Sequence, residues 1–132
     1  MDVTITQEEG RVPVTVIHVD GKTDSASSDE FEEKVMEVID AGARHLVLDL
    51  GKVPYMSSAG LRVLQHVFDK LRSLSAGESN KEMIRQINDG SFNSPNLKLI
   101  NPTKEVIEVL KMSGFDMLIS IEKDLKTAVA SF

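Results

Sequence analysis

Residues 49–64 read Asp-Leu-Gly-Lys-Val-Pro-Tyr-Met-Ser-Ser-Ala-Gly-Leu-Arg-Val-Leu. A buried strand ends here, a loop with Pro54 follows, and an amphipathic helix begins at a pair of serines. On the upstream side, Leu46, Val47 and Leu48 run in series, the pattern of a strand covered on both faces. On the downstream side, Leu61, Leu64, Phe68 and Leu71 share one helical stripe, with Arg62, Gln65, Asp69 and Arg72 off it. Strand, loop and helix in this order are the repeating unit of an α/β sheet.

The rest of the chain repeats that alternation. Residues 3–6 alternate apolar and polar, Glu9-Gly10 makes a turn, and residues 12–19 are β-branched and mostly apolar. Together they predict an N-terminal β-hairpin, with Pro13 suited to a strand's first residues or an edge. Ser27 followed by Glu30 fits a capping box, so a helix is expected from Ser28, with Phe31, Val35, Val38 and Ile39 inward and Gly42 at its end. Residues 97–100 predict another strand. Asn101 is expected to cap the next helix, with Pro102 at its first position, Val106, Ile107, Val109 and Leu110 buried and Gly114 as its stop. Residues 117–121 predict a late strand, and Leu125, Ala128 and Val129 a terminal helix. The expected fold is α/β: a single open mixed β-sheet with helices packed against it, after an N-terminal hairpin. Residues 1–132 form one domain, with a polar insertion at about 75–95 that has an apolar touch at Met83, Ile84 and Ile87 and one helical turn over 82–87.

Composition narrows the function. The 132 residues carry 15 basic and 21 acidic side chains, a net charge of −6, which disfavours nucleic acid and anionic membranes as partners. The absence of Cys removes disulfides, thiolate catalysis and Cys-ligated metal sites. No apolar run approaches the roughly 20 residues that span a bilayer, and the N-terminus lacks a basic start, so a cytoplasmic domain is expected. Gly21-Lys22-Thr23 ends like a P-loop, but Val16 stands where that motif needs Gly. Met56-Ser57-Ser58-Ala59-Gly60 resembles a nucleophile elbow without its first Gly, and none of His18, His45 and His66 is placed against Ser58 by sequence. Asp29, Glu30, Glu32 and Glu33 read as a solvated helix start, and no metal site or cofactor is expected.

The serine pair carries more information. One Ser suffices to cap a helix, a role worth about 1 kcal/mol. A second hydroxyl at a helix N-terminus is accessible to modification, and a phosphate there adds about −1.5 to −2 charges that the helix dipole tolerates.

The run resembles the signature of anti-sigma factor antagonists, the STAS domain (sulphate transporter and anti-sigma factor antagonist). Asp49, Leu50, Val53, Tyr55, Met56, Ser58, Gly60 and Leu61 match a pattern similar to D-L-s-x-V-x-f-M-D-S-S-G-L. Gly21 and Asp24 resemble the family's G-x-x-D. Residues 101–109 resemble its n-p-x-x-x-x-x-v-l helix, and Ser113-Gly114-Phe115 its s-G-l/f turn. The chain departs from the pattern at Ser57, where the family has Asp, and at Ala59, where it has Ser.

The resemblance implies a switch and not an enzyme. An unphosphorylated member binds an anti-sigma factor that is also a serine/threonine kinase, and so frees the sigma factor. The kinase then phosphorylates the antagonist, which lets go, and a PP2C-type phosphatase resets it. By position, the acceptor is Ser58, with Ser57 the alternative. The implied partner surface comprises Asp24, Tyr55, Met56, Ser57, Ser58, Gly60 and Arg62. Two other readings stand beside it: a STAS scaffold or ligand-sensing module that is never phosphorylated, and a hydrolase using Ser58.

Overall fold

The computed structural model describes residues 1–74, 80–89 and 94–132. Strands β1 (Asp2–Glu9) and β2 (Pro13–Asp20) form the expected hairpin, with Pro13 as the first residue of its strand. Then follow α1 (Ser28–Asp40), β3 (Leu46–Lys52), α2 (Ser58–Leu74), α3 (Asn80–Asp89), β4 (Leu97–Ile100), α4 (Lys104–Ser113), α5 (Phe115–Leu118), β5 (Ser120–Glu122) and α6 (Leu125–Ala130). The sheet has five strands in the order β1-β2-β3-β4-β5. The β1–β2 pair is antiparallel and the other pairs are parallel, so the sheet is mixed and open.

Strand periodicity assigns each residue to a face. Ile17, Val19, Leu46, Leu48, Leu50, Leu97 and Leu99 meet Phe31, Val35 and Ile39 of α1, Val63, Leu64, Val67, Phe68 and Leu71 of α2, and Val106 and Leu110 of α4 in the main core. On the reverse face, Val14, Val16, Val47 and Ile100 pack under Ala128 and Val129 of α6. β3 is thus covered on both faces along Leu46-Val47-Leu48, as its apolar run requires. Farther along the reverse face the sheet is open, and Asp2, Thr4, Thr6, His18, Asp20, Asp49, Gly51, Lys52 and Asn101 line a groove of about 1040 Å³.

Four local expectations change. Ser27 occupies the N-cap position of α1 but makes no capping bond; its hydroxyl donates to Lys22 O at 2.7 Å. Asn101 does not cap α4. Its φ is 55°, a left-handed conformation that Asn tolerates, and Thr103 caps instead by accepting from Val106 N at 3.3 Å. The late strand is shorter than expected, because residues after Gly114 (φ 81°) first turn into α5 before Ser120 pairs with Lys98. The single turn expected over 82–87 is part of the ten-residue α3, whose Met83 packs against the main core while Ile84 is exposed. Residues 75–79 and 90–93 of the expected insertion lie outside the described residues.

Candidate functional site

The start of α2 is held against the segment that leads into α1. Beyond the β2–β3 ladder, Gly21 N donates to Lys52 O at 3.0 Å, and an isolated parallel bridge joins Thr23 to Met56. Thr23 N donates to Tyr55 O at 3.0 Å, and Ser57 N to Thr23 O at 2.9 Å. Thr23 is fully buried and its hydroxyl also reaches Tyr55 O, at 3.3 Å. From the other side, Thr103 Oγ1 donates to Val53 O at 3.1 Å. The loop after β3 is therefore pinned at Lys52, Val53, Tyr55 and Ser57.

Gly60 makes this approach possible. A Cβ at that position would lie 2.7 Å from Met56 Cγ, 2.8 Å from Thr23 Oγ1 and 3.0 Å from Thr23 O. The requirement is for space, since any side chain would push α2 off the Thr23 backbone.

The two serines divide their tasks. Ser57 is the cap: its Oγ accepts from Ala59 N at 3.2 Å and its carbonyl accepts from Leu61 N at 3.0 Å. Ser58 is the first residue of the helix, is exposed, and has no hydrogen-bond partner for its hydroxyl among the described residues. None of the histidines engages Ser58. His18 bonds Asp49, His66 bonds Glu32, and His45 stacks edge-on against Phe132. Among the described residues no general base stands ready to accept the Ser58 proton, as the nucleophile–base pair of a hydrolase would need.

The other expected site residues sort by exposure. Tyr55 is 50% exposed, whereas Met56 is 1% exposed and belongs to the main core. Met56 and the buried Gly60 thus shape the surface from beneath, and of the two apolar residues at the junction only Tyr55 presents its side chain. Arg62 is exposed on α2, one turn beyond Ser58. Asp24 organises the turn before α1. Its Oδ1 accepts from Ala26 N at 3.0 Å and Ser27 N at 3.2 Å, and its carbonyl accepts from Ser27 N and Ser28 N. Desolvation raises the Asp24 pKa, but the bonds its carboxylate accepts from Ala26 and Ser27, with the Lys22 charge nearby, outweigh it and hold the carboxyl below its ordinary value.

Asp49, the first residue of the signature, points to the reverse face. It accepts from His18 Nδ1 at 2.9 Å, Gly51 N at 3.0 Å and Asn101 Nδ2 at 3.4 Å, and Thr6 Oγ1 lies 3.1 Å from His18 Nε2. Desolvation raises its pKa, and the bonds from Gly51, His18 and Asn101 bring it below the usual carboxylate value. Sequence reading missed this network and the pivotal place of Thr23, because neither carries a local signal. Both arise from strand register. Among the described residues no group of three or more His, Cys, Asp or Glu side chains is arranged to hold a metal, and no helix is long and apolar enough to cross a membrane.

These features have counterparts in known proteins. The STAS domain model matches residues 4–77, from β1 past the end of α2. A Bordetella bronchiseptica protein, provisionally named anti-sigma factor antagonist BtrV, is 32% identical over 112 residues, covering 85% of this chain and 80% of its own. The crystal structure of an anti-sigma factor antagonist from Mycobacterium paratuberculosis superposes with a TM-score of 0.69 at 20% identity, over 96% of this chain and 91% of the other. The antagonist SpoIIAA in its unphosphorylated form gives 0.62 at 18% identity, over 92% and 90% of the two chains. The Bacillus SpoIIAA in its phosphorylated form gives 0.56 at 18%, over 92% and 93%. The structural likenesses share the fold. The sequence matches reach further: this chain belongs to the STAS domain family.

Proposed function

We propose that the protein is an anti-sigma factor antagonist whose binding is switched by phosphorylation of Ser58. Unphosphorylated, it holds an anti-sigma factor that is also a serine/threonine kinase. Phosphorylated on Ser58 it lets go, and a PP2C-type phosphatase restores it, all within the cytoplasm. The observation that carries this reading is the division of labour at the serine pair: Ser57 is committed to capping, and the exposed Ser58 hydroxyl is not. The Bordetella relative's name and the existence of a phosphorylated form of SpoIIAA support it.

The switching argument is electrostatic. Tyr55 and the outer side of α2 supply a partner surface around Ser58, with Asp24, Ser57 and Arg62 at its border. A phosphate there brings a charge that binding must desolvate, and an uncompensated buried charge costs several kcal/mol. Each 1.4 kcal/mol is tenfold in affinity, so one phosphate suffices to dissolve a complex while leaving the fold intact.

The test is purification of wild type, Ser58→Ala and Ser58→Asp from the native host, with intact-mass measurement and recovery of bound kinase. Wild type should show a fraction heavier by about 80 Da, Ser58→Ala none. Ser58→Ala should retain the kinase and Ser58→Asp should lose it. Stoichiometric modification of Ser58→Ala would transfer the role to Ser57, and full kinase retention by Ser58→Asp would remove the switch.

A further inference from the structure

Most polar side chains along the exposed side of α2 have partners. Gln65 donates to Asp69 at 2.9 Å, His66 bonds Glu32 of α1, Ser73 donates to Lys70 O, and Arg72 is also engaged. Arg62 is different. It is exposed, and among the described residues no carboxylate or carbonyl engages its guanidinium. Its i−4 neighbour is Ser58, the one hydroxyl of the junction that is also uncommitted. Residues at this spacing lie about 5–6 Å apart between Cβ atoms on one helix face.

The first turn of α2 contains no acidic residue. On the segment paired with it, Lys22 sits beside Asp24, whose Oδ1 is already bound to two backbone amides. Asp29 and Glu30 lie in the first turn of α1.

Resting on Ser58 as the phosphorylated residue, we infer that Arg62 is the built-in counter-ion of phosphoserine 58. Its planar fork of donors suits a phosphate better than a point charge does. When the phosphate is absent the guanidinium is free to meet the partner. When it is present the two close on each other, the dianion is favoured, and Arg62 is withdrawn from the partner surface. A single modification thereby adds a negative group and cancels a positive one.

The test installs phosphoserine at position 58 by genetic encoding, which needs no kinase and so keeps this inference separate from whether a cell phosphorylates Ser58. The phosphate is titrated by phosphorus NMR in otherwise wild-type protein and in Arg62→Gln, Arg62→Lys and Lys70→Gln backgrounds. Arg62→Gln should raise the second phosphate pKa by about 0.3 unit or more at low salt, with the difference fading at high salt. Arg62→Lys should fall nearer wild type, and Lys70→Gln, farther along the same helix, should leave the titration unmoved. An unchanged titration in Arg62→Gln overturns the inference. So does an equal shift in Lys70→Gln, since net charge alone would then explain it.

Discussion

Two helices of this molecule start in the same setting, and their starts differ. α2 follows the parallel strand β3, and α4 follows its parallel neighbour β4. Each is capped by one hydroxyl, Ser57 accepting from Ala59 N and Thr103 from Val106 N. At α4 the residue after the cap is Lys104, and the Thr103 hydroxyl is used twice, since it also donates to Val53 O. At α2 the residue after the cap is Ser58, whose hydroxyl is used for nothing within the described residues. α4 therefore acts as an internal control: one hydroxyl is what a helix start at this sheet needs. The second at α2 has no such task in the fold, and the proposed phosphorylation would draw on that.

The comparison breaks most visibly at Gly60. The α2 start presses on the Thr23 backbone at Gly60, so Gly60→Ala should destabilise the protein by about 2 kcal/mol through overpacking against Met56 and Thr23. Urea denaturation measures this, and a neutral result would mean that α2 is not held as tightly as α4. Next come the caps. Ser57→Ala and Thr103→Ala should each cost about 1 kcal/mol, whereas Ser58→Ala should fall within about 0.5 kcal/mol of wild type. Equal losses for Ser57→Ala and Ser58→Ala would erase the division of labour.

The smallest effect concerns how each start is approached. The chain enters α2 past Thr23, but it enters α4 past Asn101, which Asp49 holds. The folded pKa of Asp49 lies below its ordinary 3.8, so its contribution is complete above that value and is lost as pH falls through the lower folded value. Wild type should therefore exceed Asp49→Asn in stability near neutral pH, and the gap should close in acid below about pH 4. A gap that does not change with pH would assign the effect to shape and not to the carboxylate charge.

How much of this was legible beforehand depended on range. The unbroken Leu46-Val47-Leu48 run announced a strand covered on both faces, and the α2 stripe announced its buried side; both are local, periodic signals. The cap of α4 was misread because Asn101-Pro102 is a good helix start in isolation. Its amide is instead spent on Asp49, a residue of the neighbouring strand, and the cap moves to Thr103. The late strand was overextended for a related reason. Residues 117 and 118 are apolar enough for a strand, yet the left-handed turn at Gly114 sets them into α5. At the site, sequence located the serine pair but left the capping and free roles open, because both residue types are identical. Only the backbone register set by Thr23 decides which oxygen faces the helix amides.

The Thr23–Met56 bridge has a consequence for time. It ties the loop after β3 to the segment before α1 right beside Ser58, so the surface around that hydroxyl is set by backbone bonds. The phosphate proposed for Ser58 would therefore be added to a surface already in place. On the proposed switch, response speed would then rest with the enzymes that write and erase the phosphate and with the diffusion of partners.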